Sequence, residues 1–380
     1  MKKKQTTSYF DYTLVVIIVF LLAFGLVMLY SASSYSAQLN GQKSTFYLNK
    51  QIVNDIVGIA ALLFAVSIDY HKWYKLGALW YLLAIVAVLS VLTPFGVSKY
   101  GATRWVAIGP LSLQPSEIAK VAVIVFMAIL ICKLGKNVGN PKALTLMIVF
   151  PAIISGLVLV FNDNLSTAII ILGISLVMIF VAHPKYRPFV IMAVLVLVAG
   201  FAIIKYAASI DISDTAGKSF RLKRIVVWLD PEKDASDKGY QVLQGLYAIG
   251  SGGIFGKGLG NSIQKLGFIP EAQNDMIFAI ICEELGLFGA ICVILVFVVM
   301  IWRLMIIASN APDLFGSLIT VGVMAHIAIQ VILNIAVVTN TIPNTGVTLP
   351  FISYGGTSIM FLMFELGLVL NVSKQIVIKK

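Results

Sequence analysis

Charge is scarce in this chain. Asp, Glu, Lys and Arg make up 12% of 380 residues, and only three cysteines and three histidines occur. So little charge cannot solvate the surface of a soluble domain, and 59% hydrophobic residues with a mean hydropathy of +0.95 place the chain among polytopic membrane proteins. Cys132, Cys282 and Cys292 offer no CxxC or zinc spacing. Cys282 and Cys292 stand ten positions apart on one predicted helix, about 15 Å at the helical rise, too far to bridge, so all three read as small apolar fillers. No basic cluster with a reading motif is present, which excludes nucleic acid as a partner. Internal repeats and low-complexity tracts are also missing.

What remains is apolar sequence in long runs. Stretches of roughly 17 to 25 apolar residues are long enough to cross a bilayer, and they fall at 12–31, 50–68, 76–94, 116–132, 143–161, 164–182, 188–208, 275–302, 314–339 and 353–373. The expected fold is an all-α integral membrane protein of about ten transmembrane helices, residues 1–380 forming one polytopic domain. A large extracytoplasmic loop, 207–274, separates the seventh and eighth helices, and the break at Asn162–Asn164 predicts a tight hairpin. The first apolar run, of about 20 residues, exceeds the roughly 7 to 15 of a signal-peptide core, so a retained first helix is expected. Lys2, Lys3, Lys4, Lys72, Lys75, Lys133, Lys136, Lys142, Lys185, Arg187, Arg303, Lys374, Lys379 and Lys380 all fall on one side of this arrangement. The opposite short loops hold Lys43, Lys50, Lys99 and Arg104. Both termini are therefore expected in the cytoplasm of a cell bounded by this membrane, and the net charge of +11 reflects topology and contact with anionic lipid.

Polar residues inside apolar runs are costly and direct attention to function. Asp55, Glu117, Lys120, Glu283, Glu284, His326 and Glu365 form that set. Glu117 and Lys120, three apart on one helix face, read either as a structural ion pair or as a polar wall to a headgroup cavity. Glu283, Glu284 and Glu365 have no basic partner assignable from sequence. His326, Gln330 and Asn334 form an i, i+4, i+8 stripe suited to hydrogen bonding between helices. Ser116 is the expected N-cap of the helix it begins. The stretch from Pro343, PNTGVTLPFISYGGTS, is non-helical backbone at membrane depth, which survives only where protein or a water-filled cavity covers it; a cavity open to the outside is implied. Asp275 ends a glycine-rich polar loop just before an apolar run. Either it caps the following helix, as Asn274 also could, or it does chemistry.

Several motifs together carry a family resemblance across the whole chain: YSAS at Tyr30, RW at Arg104, QPSEIAK at Gln114, GYQ ending at Gln241, AIGSGGIFGKGLG at Ala248, PEAQND at Pro270, EELG at Glu283 and LPFISYGGTS at Leu349. The chain resembles the SEDS proteins (shape, elongation, division, sporulation), the peptidoglycan polymerases typified by FtsW and RodA. GLGNSIQK at Gly258 is more similar to the division branch than to the elongation branch, with a sporulation paralogue the harder alternative to separate. Departures from the family pattern are Asp163, Asn164, Leu165, Ser166 and Thr167 before the sixth span, Asn274 and Met276 beside Asp275, and Thr357.

The resemblance implies a peptidoglycan glycosyltransferase of the bacterial plasma membrane, acting at the septum. Its substrate is lipid II, and its partners are a class B penicillin-binding transpeptidase and other divisome membrane proteins. Asp275 is the implied catalytic residue, a general base for an inverting transfer. Apolar neighbours such as Ile269, Pro270, Met276, Ile277 and Phe278 should raise its pKa. The departing pyrophosphate requires cationic donors or a divalent cation, Mg or Mn; no organic cofactor is implied. Arg104, Arg221, Arg224, Lys257 and Lys265 are outward-facing candidates for substrate binding beside Glu117 and Lys120, though loop cations equally pair with Asp230, Glu232, Asp234 and Asp237. The glycines from Gly250 to Gly260 either bring backbone amides to phosphate or serve tight turns and close packing; no Walker ending is present. Two rival readings are a lipid flippase using Glu117, Lys120 and Glu365, for which the sequence shows no matched discontinuous helices, and a scaffold for the transpeptidase.

Overall fold

The structure, a computed structural model, describes residues 6–99, 102–108, 111–210, 220–234 and 238–379. In lipid a continuous apolar run satisfies its own backbone only as a helix, and helices dominate here. They are α1 (Tyr12–Leu39), α2 (Phe46–Ser67), the single turn α3 (His71–Tyr74), α4 (Gly77–Leu89), α5 (Pro115–Leu134), α6 (Pro141–Phe161), α7 (Leu165–Ala182), α8 (Arg187–Ala208), α9 (Phe220–Leu229), α10 (Lys238–Gly252), α11 (Ile277–Asn310), α12 (Leu314–Val338) and α13 (Ser358–Lys374). Among the described residues, eight are long and apolar enough to cross a membrane: α1, α2, α5, α6, α7, α8, α11 and α12. The other two expected spans are occupied by shorter helices, α4 with its 3-10 extension to Leu92 and the 17-residue α13.

The bundle packs α13 on α2, α4 on α5, α6 on α7, and α12 against α11, α7 and α5. α5 and α12 are the most enclosed, whereas α8 leaves almost all of its apolar surface uncovered and contacts mainly α9. The hairpin between α6 and α7 is as tight as expected, with Asn164 accepting from the Thr167 amide at 3.0 Å as the cap of α7.

Short strands complete the fold. β1 (Thr6–Ser8) pairs antiparallel with β5 (Val377–Lys379), which ties both ends of the chain together at one end of the bundle. Arg303 reinforces that end by binding Asp11 at 2.6 Å and the Tyr9 hydroxyl. At the opposite end, β2 (Gly96–Lys99), β3 (Ala102–Ile108) and β4 (Leu111–Leu113) make a small antiparallel sheet where the sequence indicated only loop. The expected 207–274 loop lies at this same end and is itself partly helical: it contains α9 and α10, and α10 packs on α11. Ser116 does not cap α5. Gln114 holds the N-cap position, Pro115 opens the helix, and the Ser116 hydroxyl is buried without a partner among the described residues.

Candidate active site

The glycine run after α10 has a structural task. Gly286 adopts φ 68°, ψ −169° and breaks α11 into 277–285 and 287–310. A broken helix leaves carbonyls and amides without intrahelical partners, and in a bundle those groups must be met by protein. Loop residues meet them: Lys257 N–H donates to Glu283 O and Gly258 N–H to Glu284 O, each at 2.9 Å. Leu287 N–H donates to Gly253 O at 2.9 Å and Phe288 N–H to Ile254 O at 3.0 Å. Such backbone approach excludes a side chain at Gly256, φ +78°, where a Cβ would collide with Glu284 O. Of the two sequence readings for these glycines, tight turns and close packing account for Gly252 to Gly258; the amides of Lys257 and Gly258 are engaged and do not offer a phosphate cradle.

Just before the break lie two ion pairs, one partly exposed through Lys257 and one buried. Lys257 Nζ reaches Glu283 Oε1 at 2.6 Å, and Glu283 also accepts from the Ser262 hydroxyl and the Ile263 amide. Lys265 Nζ reaches Glu284 Oε1 at 2.7 Å, Ser31 Oγ at 2.8 Å and Gly260 O at 2.7 Å. This corrects two expectations. Glu283 and Glu284 do have basic partners, supplied by the loop, and Lys265 is buried, its three donors already matched by three acceptors. Neither lysine faces outward as a free phosphate ligand.

Asp275 sits one residue before the N-cap of α11. That N-cap is Met276, which has no side-chain cap hydrogen bond, so neither Asp275 nor Asn274 caps the helix; Asn274 binds Glu271 instead. Asp275 is partly buried among α10, α12 and the segment that leads into α13, and of these only Gln241 of α10 reaches its carboxyl. Gln241 Nε2 lies 3.4 Å from Asp275 Oδ1 and 3.4 Å from Pro270 O. Gln241 Oε1 accepts from Asn344 Nδ2 at 3.1 Å, and Arg224 donates to Asn344 O at 3.2 Å. Asn334 donates to both Asp275 O at 2.8 Å and Val347 O at 2.7 Å, clamping the loop to the 343–357 segment. Desolvation raises the Asp275 pKa from 3.8 to about 6; the negative charge of Glu271 adds to the rise, while the Asp275 N–H, Arg224 and Gln241 oppose it.

The 343–357 segment is extended and partly buried, as expected, and its backbone is covered by protein. Besides Asn334, Gln330 donates to Thr348 O at 3.1 Å, Ser353 Oγ accepts from Leu349 N–H at 2.8 Å, and Tyr354 N–H donates to Gln273 O at 2.9 Å. Beneath it is a small void lined by Glu117, His326, Gln330, Ser353 and Ser358. Glu117 and Lys120 are a buried ion pair at 2.9 Å. Glu365, which had no partner assignable from sequence, binds His326 Nδ1 at 2.7 Å. The stripe of His326, Gln330 and Asn334 thus bonds to other segments along its whole length.

The remaining sequence candidates divide. Arg224 is brought to the Asp275 cluster. Arg104, on β3, donates to Asp163 O at 2.6 Å and Asn162 O at 3.3 Å in the α6–α7 hairpin. The side chain of Arg221 lies outside the described residues. Of the acids expected to pair with those cations, Asp234 meets Lys223, which was not among them, at 3.3 Å, and Asp237 lies outside the described residues. Gln241, Asn334 and Asn344 were not recognised from sequence as partners of Asp275; Gln241 ends the GYQ motif, and Asn344 lies in the Pro343 segment. No three His, Cys, Asp or Glu side chains group as metal ligands among the described residues. The described residues therefore offer no preformed all-protein cage for a divalent cation.

Comparison with known proteins supports the fold and the family. The family model for the FtsW, RodA and SpoVE group, described as "Cell cycle protein", matches residues 12–377. Stage V sporulation protein E of Bacillus subtilis (strain 168) is 39% identical over 98% of this chain and 99% of its own length. The probable peptidoglycan glycosyltransferase FtsW of the same organism is 38% identical over 98% of this chain and 92% of its own. Among solved structures, a chain from a study of how a peptidoglycan synthase complex coordinates polymerization and crosslinking superimposes with a TM-score of 0.77 at 24% identity, over 96% of this chain and 97% of that one. The rod shape determining protein RodA of Thermus thermophilus gives 0.65 at 24% identity, over 97% of each chain. The protein is a multi-pass membrane protein and belongs to the FtsW/RodA/SpoVE family, the SEDS proteins.

Proposed function

We propose that this protein is a peptidoglycan glycosyltransferase that polymerises lipid II, with Asp275 as the general base. The observation that carries this reading is a carboxyl raised to about 6 that no helix end uses and that faces the Gln241 amide, on a residue whose main-chain carbonyl is fixed by Asn334. The acceptor's N-acetylglucosamine 4-hydroxyl attacks the anomeric carbon of the growing chain's N-acetylmuramic acid. The C–O bond to the lipid pyrophosphate breaks with inversion, the pyrophosphate leaves with the electron pair, and Asp275 takes the hydroxyl proton. A carboxylate of this basicity is mostly ionised at neutral pH and a stronger base than a solvated aspartate; general-base catalysis of this kind contributes roughly 10² to 10⁴ in rate. Arg224 is the cation best placed to meet the pyrophosphate charge, because it is held beside Asn344 in the same cluster.

Action in septal synthesis, with a class B penicillin-binding transpeptidase and other divisome membrane proteins as partners, follows from the division-type motif. The FtsW relatives support the septal role and the synthase-complex neighbour a crosslinking partner, while stage V sporulation protein E, 39% identical, favours sporulation as the second reading. Cytoplasmic termini follow from the lysine and arginine bias, and the β1–β5 pairing supports a shared side for both. The flippase reading is weaker. α11 is discontinuous, but its freed backbone groups are matched by the chain's own loop, and Glu117, Lys120 and Glu365 are each engaged in internal pairs.

A reconstituted polymerisation assay on lipid II tests the proposal. Wild type should build glycan strands, and Asp275→Ala should not, while still binding lipid II. Normal strand synthesis by a folded Asp275→Ala protein would refute it. Loss of activity in Glu117 and Lys120 variants combined with tolerance at Asp275 would move the reading to transport.

A further inference from the structure

Within the proposed reaction, on which this inference rests, the two oxygens of Asp275 are unequal. Oδ1 faces Gln241 Nε2 at 3.4 Å. Oδ2 lies toward Gly346, where a built Cβ would stand 3.8 Å away, and among the described residues no side chain donates to it. Asp275 as a residue is partly exposed.

The amide orientations are dictated by a directional chain. Gly346 N–H donates to Asn344 Oδ1 at 3.0 Å, which turns Asn344 Nδ2 toward Gln241. That nitrogen donates to Gln241 Oε1 at 3.1 Å, which turns Gln241 Nε2 toward the carboxylate. Flipping either amide would set oxygen against oxygen or N–H against N–H, so the network determines the assignment. We propose that Gln241 and Asn344 are positioning residues that commit Asp275 Oδ1 as a hydrogen-bond acceptor and reserve Oδ2, on the Gly346 side, to take the proton of the acceptor hydroxyl. The 3.4 Å separation is long for a hydrogen bond. Gly346, at φ +67°, keeps the approach to Oδ2 clear of side-chain atoms.

The charged groups acting on this carboxyl are Glu271 of the same loop and Arg224 of α9. The neighbours from α10, α12 and the 343–347 segment are the uncharged Gln241, Asn334 and Asn344. Removing the Gln241 donor withdraws a bond that favours the ionised form, so the Asp275 pKa rises further and the acid limb of the rate profile moves to higher pH.

The test is polymerisation by purified full-length protein on lipid II across pH, for wild type, Gln241→Leu, Asn344→Ala, the double variant and Asp275→Ala. Gln241→Leu should lower the rate at neutral pH about 3- to 10-fold, the worth of an ordinary hydrogen bond, and shift the acid limb upward with KM little changed. Asn344→Ala should shift the limb in the same direction by less, and the double variant should match Gln241→Leu, because both act through one amide. An unshifted limb in Gln241→Leu and Asn344→Ala, or effects that multiply in the double variant, would overturn the inference. Activity in Asp275→Ala is a separate result, which would overturn the reading of the reaction itself.

Discussion

Lys265 is the residue whose loss should do most damage away from the reaction. It is 6% exposed, and Glu284, its partner at 2.7 Å, is fully buried. Lys265→Met removes the one cation on that carboxylate. Glu284 Oε1 would keep Ser31 Oγ at 2.6 Å and the Ser262 amide at 3.4 Å, while Oε2 has no partner among the described residues. Breaking one side of a buried pair costs about 3 to 5 kcal/mol; the two surviving donors place this site near the lower end, about 3 kcal/mol, or roughly a hundredfold in the opening equilibrium. The opening should be local, since the pair pins the glycine loop to the broken part of α11. Hydrogen exchange read at the amides of Lys257, Gly258, Leu287 and Phe288 should therefore quicken by about that factor in Lys265→Met. It should recover in Lys265→Met/Glu284→Leu, because an apolar pair of similar volume is commonly neutral or stabilising. If the single variant exchanges at the wild-type rate at those four amides, the ion pair does not hold the break, and the account of the loop given above fails.

Three further outcomes are expected. Gly256→Ala should destabilise the same region and depress polymerisation, since its Cβ meets Glu284 O and its φ of +78° is strained for alanine; thermal unfolding and the lipid II assay would read both. Polymerisation by wild type should fall as pH drops through about 6, where Asp275 gains its proton; the pH profile of kcat/KM checks this, and a limb near 4 would contradict it. His71 lies between Asp69 at 2.7 Å and Asp313 at 2.8 Å. Desolvation lowers its pKa, but those two aspartates outweigh it and raise the pKa above 6.5. Its contribution to stability is then complete below the unfolded pKa near 6.5 and lost as pH rises through the folded value, so His71→Gln should flatten thermal stability across that window.

The spans were legible because lipid leaves an apolar run one way to satisfy its backbone, and residues 143–161 or 164–182 needed nothing from elsewhere in the chain. The polar stripe on α12 was legible for the same reason: His326, Gln330 and Asn334 share a face by helical geometry alone. The break at Gly286 was not. Its cause is pairing with residues 253–258, some thirty positions earlier, and a lone glycine in an apolar run gives no local sign of that. The same distance hid the partners of Glu283 and Glu284. Asp275 could be singled out by its place before an apolar run, yet whether it capped α11 depended on a helix boundary one residue further on. Gln241 reaches it from 34 positions away, and Asn344, 69 positions away, acts on it only through Gln241; neither has a pattern of its own beyond the GYQ and PNTG segments. The strands of 96–113 are three to seven residues long, and the longest, Ala102–Ile108 (ATRWVAI), does not alternate apolar with polar residues, so periodicity gives no sign of it.

The interruption at Gly286 lets a distant loop enter the backbone ladder of α11. Lys257 and Gly258 donate to Glu283 and Glu284 on one side of it, and Leu287 and Phe288 donate to Gly253 and Ile254 on the other, so the loop splints the two parts of the helix together. A displacement of that loop therefore acts on both parts at one point, directly behind the short segment that follows Asp275. A continuous helix would give the loop no such purchase, because its amides and carbonyls would already be paired with one another.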